Sequence, residues 1–484
     1  MTEAGYHRYG MHDLIRLYVR DRAAADAVPD RLQALDRLLD YYQHTAALAE
    51  ARLAHRARTR AAPALGAPPA AFPALAGADQ ALAWARAERP NLLACLDHVT
   101  HTGQHARVVA LTAAMAALLR QDGPWADAQT RHAIAVEAAR HIGDRLGQAN
   151  ALLSLGAVRQ LTGDYPGAAE TLTQALDISR DLGDQLGQAS ALLNLGIVRW
   201  LTADYPDAAG ALAEALRIYR DLGDRPGQAS ALLDMGAVRW LTGDYPGATD
   251  ALAQALSIFR DLSDQRGEAD ALNRLGVVRW LTGNYQDAAD ALTEALGIFR
   301  NLGDRRGEAD SLNVLGVVRW LTGDYQDATN AQQEALDIFR AFGDRRGEAD
   351  ALNRLGGVRR LTGDYPAAAD AQEEALGIYR NIGDRGGEVE TLNELGMLHR
   401  VRGDLGRAGE FHRQALDLAR EITSPWDEAQ ALAGLGRCAL AAGRAADAVA
   451  GLRRAREIFE RIGAAEVTAV AAELDGLAGP GPAT

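Results

Sequence analysis

Apolar positions in this chain recur with helical periodicity and are interrupted at regular intervals by turn residues. From 145 to 162, Leu152, Leu155, Gly156 and Val158 fall on one side of a 3.6-residue wheel, and from 165 to 182 Ala168, Leu172, Ala175, Leu176 and Leu182 do the same. The pattern predicts two amphipathic helices, A and B. The string Leu-Thr-Gly-Asp-Tyr-Pro lies between them at Leu161–Pro166 and returns at Leu241–Pro246 and Leu361–Pro366, with variants starting at Leu201, Leu281 and Leu321, so the period is 40 residues. A second turn sits half a period away, at Leu182–Gln188 and Leu302–Glu308. Gly163 and Gly183 suit the left-handed position that closes a helix, and Asp164 and Asp184 supply the side-chain oxygen that opens the next. Pro166 falls in a first helical turn, where its missing N–H costs nothing. Alternating β-branched segments are lacking, which predicts no sheet.

One helix pair cannot bury both of its apolar faces, so neighbouring pairs must stack. Gly156, Ala168 and Ala175 are small where two helices approach closely, and they recur as Gly196, Ala208 and Ala215. The expected fold class is all-α: a right-handed superhelical solenoid of antiparallel helix pairs, its stability a sum of repeat and nearest-neighbour terms.

These residues resemble the tetratricopeptide repeat. The motif is carried by Leu152, Leu155, Gly156, Gly163, Asp164, Tyr165, Ala168, Leu172 and Ala175, and it recurs with little change to about residue 420. Weaker copies at Gly123, Trp125 and Ala128, and at Leu435, Gly436, Gly443 and Ala448, extend the array to about nine helix pairs over 105–463. The period exceeds the family's usual length of about 34 residues, so the chain resembles a long-repeat branch. Where the family usually carries an aromatic residue, this sequence has Arg159, Arg199, Arg239, Arg279, Arg319 and Arg359. That column points toward the core, and its guanidinium groups are expected to reach carboxylates of the next repeat.

The flanks read differently. Residues 1–60 form a helical flank, 61–77 an Ala/Pro-rich loop, 78–104 a helical lead-in, and 464–484 a capping helix with a loose tail. The string from Tyr9 to Arg20, together with Trp84 to Leu93, is similar to the end of the winged-helix segment in NB-ARC (STAND-type) bacterial regulators, in which a tetratricopeptide array follows. The resemblance implies the sensor arm of a signalling or transcriptional regulator. His12 and Asp13 belong to that string and, being adjacent, lie on different helix faces.

Charge narrows the function. The formal net charge is −14, and all 51 basic residues are Arg because the sequence contains no Lys. A Walker-type phosphate loop and a Schiff-base enzyme are excluded, and a nucleic-acid-binding surface over the whole molecule is disfavoured. Cys95 and Cys438 stand at opposite ends of the chain, which fits a reducing, cytoplasmic setting. No membrane span and no signal segment is read. Cys95, His98, His101 and His105 have ligand-like chemistry, but Gly103 interrupts their helix, and no metal or cofactor is expected.

The candidate binding face is the side of helix A away from the core, which the resemblance places on the concave wall. Its columns run Leu193, Leu233, Asn273, Asn313, Asn353 and Asn393, then Trp200, Trp240, Trp280, Trp320, Arg360 and Arg400, with Ile197 between them. An apolar half thus grades into a polar one, suited to a peptide or protein segment. Two structural alternatives stay open: the Trp rings cover bare glycine backbone and pack on the next repeat, and the Asn amides bond between helices. Asp270, Asp310, Asp350 and Glu390 form an acidic column that reads either as a solvated face or as an attraction for a basic peptide. The expected function is a non-catalytic recognition module with a protein or peptide partner, no direct contact with nucleic acid or membrane, and an oligomerisation scaffold with homotypic contacts as the alternative.

Overall fold

The computed structural model describes residues 2–3, 9–10, 13–24, 27–53, 69 and 72–478. His12, most of the Ala/Pro-rich stretch and the tail 479–484 lie outside the described residues. Six helices precede the regular array: α1 (Asp13–Ala24), α2 (Val28–Leu53), α3 (Ala78–His101), α4 (His105–Ala114), α5 (Ala116–Asp122) and α6 (Trp125–His141). Eight A/B pairs follow. They are α7 (Arg145–Leu161) with α8 (Tyr165–Asp181), α9 (Gln185–Leu201) with α10 (Tyr205–Leu222), α11 (Arg225–Leu241) with α12 (Tyr245–Asp261), and α13 (Gln265–Leu281) with α14 (Tyr285–Leu302). The array continues with α15 (Arg305–Leu321) and α16 (Tyr325–Phe342), α17 (Arg345–Thr362) and α18 (Tyr365–Ile382), α19 (Arg385–Val401) and α20 (Leu405–Glu421), then α21 (Pro425–Ala441) and α22 (Ala445–Ile462). A last helix, α23 (Val467–Ala478), lies on α22 and buries Val470 and Leu474. A less regular pair precedes these eight: its helix A is split into α4 and α5 at Met115, and α6 is its helix B. Against the expectation of no sheet, β1 (Thr2–Glu3) and β2 (Tyr9–Gly10) form a two-residue antiparallel ladder. Among the described residues no helix is long and apolar enough to cross a membrane.

Local chemistry explains the pairs. Gly163 has φ +79°, and the Asp164 carboxylate accepts from Gly167 N at 3.0 Å, ending one helix and opening the next. Inside each pair a glycine of helix A receives a side chain of helix B: a Cβ at Gly276 would lie 2.6 Å from Leu292 Cγ. A second glycine, in the first turn of the following helix A, lies under an aromatic ring, as Gly267 does under Phe259. The Arg column closes these hairpins rather than bridging repeats. Arg159, Arg239, Arg279 and Arg359 each donate to a carbonyl in the first turn of their own helix B, at 3.0, 2.8, 3.0 and 3.2 Å. The guanidinium reaches the second lone pair of a carbonyl close at hand before it can meet a carboxylate of the next repeat.

Successive A helices touch one another from α7 to α21, a contact the B helices do not make to the same extent. The A side is therefore the inside of the curve. Curvature is tight enough that the coil returns upon itself. Arg86 donates to Gly303 O from 217 positions away, between five and six repeats; Trp125 packs on Phe342, and Ala465 N donates to Leu281 O at 3.0 Å. One hydrophobic core accordingly joins residues 165–281 to residues 376–474. A purely nearest-neighbour array, as the repeat pattern suggests, is not what forms.

Candidate functional site

Closure of the coil leaves a partly open cavity of about 480 Å³ on the A-helix side, within the usual range of roughly 300–1,000 Å³ for ligand pockets. Ile197, Trp200, Leu233, Trp240, Asn273, Trp280 and Asn313 line it, as the groove reading anticipates. The other candidates do not. Leu193 is 1% exposed and belongs to the core, because close A–A packing leaves its face no room. Trp320 lies over the next repeat, with a Cβ at Gly357 falling 3.0 Å from its ring; this is the glycine-covering alternative. Asn353 and Asn393 are buried between helices, and Asn393 Nδ2 donates to Asp427 O at 3.3 Å while its Oδ1 meets His412 Nδ1 at 3.2 Å. Arg360 is tied to Glu394 at 3.2 Å, and Arg400 stands outside the cavity lining. The Asn column changes character with its partner in helix B: Leu292 gives way to Gln332, Gln372 and His412, so polar meets polar inside the core.

Three groups of lining residues escape the column reading. The first is an arginine ladder. Arg306 Nε pairs with Asp344 Oδ2 at 3.1 Å and faces Asp310 at 3.8 Å; Arg346 repeats this with Asp384 at 2.7 Å and Asp350 at 3.8 Å. Asp344 and Asp384 also cap the next helix A, accepting from Gly347 N and Gly387 N at 2.9 Å. The second is the corner tyrosines Tyr165, Tyr205 and Tyr245, brought to the cavity by the returning coil. The third is Trp426, edge-on to Trp280 at 6.4 Å. Spacing marks the ladder in the sequence, as arginines 40 residues apart, but nothing local says which corner meets which.

The acidic column faces inward rather than forming a solvated outer face: Asp270, Asp310, Asp350 and Glu390 all line the cavity. Burial pushes the Asp310 carboxyl up to about 7, with Asp344, Asp270 and Asp304 adding to the rise and Arg306 opposing it. Burial likewise raises Glu390 and takes Asp427 to about 7. In a low-dielectric enclosure, carboxylates that outnumber their cations hold protons more tightly.

The Cys/His group near the start of the array disperses. His101 Nδ1 meets Asp97 O, and the His105 ring lies 4.4 Å from that of His141. No group of three or more His, Cys, Asp or Glu side chains fit to hold a metal occurs among the described residues. Cys95 and Cys438 are buried free thiols.

The family model for the tetratricopeptide repeat matches residues 108–181, 187–261, 267–341, 308–381 and 387–461, most of the chain, and the chain belongs to that family. No curated protein matches it. Among solved structures it is similar to a Rap protein complexed with Competence and Sporulation Factor, at 16% identity over 73% of this chain and 98% of that one, TM-score 0.58. It is also similar to the Rap conjugation gene regulator of plasmid pLS20 in complex with the Phr peptide, at 14% identity over 69% and 95%, TM-score 0.52. A STAND protein with a tetratricopeptide repeat sensor from Pyrococcus horikoshii aligns at 16% identity over 77% of this chain and 54% of that one, TM-score 0.44. At identities this low, the two Rap structures speak for a shared fold alone.

Proposed function

We propose that this chain is a non-catalytic recognition module that holds a peptide or protein segment inside its coil, and that it serves as the sensor arm of a cytoplasmic bacterial regulator. The observation that carries the reading is the cavity inside the coil, walled by Trp200, Trp240 and Trp280 and furnished with amide and carboxylate groups. Rigid aromatic walls give contact area at low entropic cost, and convergent polar groups fix a backbone. The Trp200 indole Nε1 is buried without a hydrogen-bond partner among the described residues, and it suits a peptide carbonyl. One solved relative of this fold is described as a complex with a peptide. The regulatory role rests on the N-terminal string that is similar to the winged-helix end of NB-ARC proteins.

The test is capture of random pentapeptides by the immobilised chain, compared with Trp240→Ala. Retention by the parent and a loss of about ten-fold or more in the variant is expected for a cavity-wall aromatic. Equal retention by a variant with unchanged melting would reject the cavity as the site.

Self-assembly is the second reading. It is favoured by Leu17, Tyr18, Val28, Leu32 and Leu38, which α1 and α2 expose to solvent. Sedimentation velocity decides it, since a monomer at all concentrations rejects homotypic contact.

A further inference from the structure

The reading above leaves the chemistry of the held segment open, and the cavity wall carries that information. Nine carboxylates line the cavity against six guanidinium groups. The imbalance has a definite origin in the ladder. Arg306 is shared by Asp310 and Asp344, and Arg346 by Asp350 and Asp384, so each guanidinium faces two carboxyl groups. Arg266 is drawn off by Asp304 at 3.0 Å, and Arg274 by Asp234 at 2.9 Å. Glu390 has Arg354 as its opposing cation but feels Asp350 and Glu394 as well. Asp310 keeps 39% of its side chain accessible, and that accessible part faces the cavity.

A second, independent observation concerns hydrogen bonding. Asn313 and Asp427 are 5% and 9% exposed, both line the cavity, and Asn313 Oδ1 and Asp427 Oδ1 are buried with no hydrogen-bond partner among the described residues. Both atoms are acceptors, so both call for N–H donors. Asn273 Oδ1, also in the wall, is in the same condition. Leaving such atoms unpaired is costly, and a donor-rich ligand relieves that cost. Tryptophan faces in the same enclosure favour a cation over an anion.

We infer that the cavity recognises a basic side chain, a guanidinium or ammonium group of a bound peptide, through the Asp310–Glu390 side of the wall and the Asn313 and Asp427 acceptors. The inference rests on the proposed segment-binding role and adds the charge of the segment. An arginine has five N–H donors, enough to serve a carboxylate and an amide oxygen together. The Trp200 Nε1 and Arg354 Nε donors, likewise without hydrogen-bond partners, are left for the peptide's own carbonyl groups.

The experiment uses the full chain and three equimolar pools of random pentapeptides whose central residue is fixed as Arg, Leu or Glu, with bound peptides counted by mass spectrometry. The expected result is retention of the Arg pool about ten-fold or more above the Glu pool, as a buried charge pair requires. In the near-isosteric double variant Asp310→Asn/Glu390→Gln, that preference should fall away while helicity and melting stay unchanged. Equal retention of the Arg and Glu pools by the parent chain overturns the inference without recourse to any variant, as does a preference that survives the double substitution. Retention of the Leu pool that is lost in Trp240→Ala, with no preference for Arg, removes the basic-residue inference and leaves the segment reading standing. Retention of no pool removes both.

Discussion

Three corners of the array put a residue other than glycine in the left-handed region: Ala203, Ser263 and Thr423 have φ of 62°, 55° and 58°. Ser263 is exposed and its side chain fills no core space. A left-handed L-residue carries roughly 1–2 kcal/mol of steric cost, part of which glycine gives back as chain entropy. Ser263→Gly should therefore raise stability by about 1 kcal/mol in urea unfolding. Gly276→Ala should do the reverse, by about 1–3 kcal/mol, since its methyl would enter Leu292. Titration also has residue-scale consequences. His412 is buried, and burial, with Arg400 and Arg437 adding, lowers its pKa to about 4. An unfolded histidine titrates near 6.5, so between about 6.5 and 4 the unfolded chain takes up a proton that the fold refuses, and stability falls as the pH drops. Asp427 works oppositely. Raised to about 7, it protonates in the fold first, so its stabilising contribution is full at low pH and is lost as the pH rises through 7. His412→Gln keeps a side-chain amide beside Asn393, as Gln332 does beside Asn313, and removes the histidine's share. Melting temperatures from pH 8 down to pH 4.5 should then decline less than in the parent; an unchanged decline would exclude His412 as its source.

Among the elements, the capping aspartates divide into two kinds. Asp224 caps α11 through Gly227 N at 2.9 Å, the ordinary helix-start role. Asp344 caps α17 in the same way and also receives Arg306 from the preceding repeat, with its side chain 4% exposed. Asp224→Ala should cost about 1 kcal/mol, the usual value of a cap. Asp344→Ala should cost about 3 kcal/mol, because it also strands Arg306 in the cavity wall. Chemical denaturation of the two variants checks the difference, and equal losses would mean that the ladder contributes nothing. By contrast, Arg225 bonds Asp261 at 2.8 Å and Arg145 bonds Asp181 at 3.1 Å with both partners half-exposed or more, and pairs of this kind add little.

For the whole molecule, contact between turns of the coil matters more than the repeat count. Phe342 lies against the core around Trp125 as well as the core of its own repeat, and Ile382 meets Gly163. Such contacts convert a one-dimensional array into a body with long-range cooperativity, the reverse of a solenoid in which each repeat feels only its neighbours. Phe342→Ala should cost about 2–4 kcal/mol. It should also speed amide exchange in α6, five repeats away in sequence, without raising exchange in the intervening α10 and α11. Acceleration confined to the neighbours of residue 342 would show that the turns do not support one another.

Helix boundaries, caps and the glycine contacts inside each pair were legible in the sequence, because they depend on residues within about 20 positions and on a 3.6-residue period repeated many times. Leu152, Gly156, Asp164 and Leu172 announce their roles locally. Trp200 and Trp320 share a column and a sequence context, yet one faces a cavity and the other covers Gly357. That division, like the inward turn of Asp310 and the meeting of Tyr205 with the far coil, follows from the curvature. A small rotation at each repeat accumulates over the array until distant corners touch, and no single repeat encodes the sum. Sequence determined the unit and its face; the closed coil decided which faces enclose space.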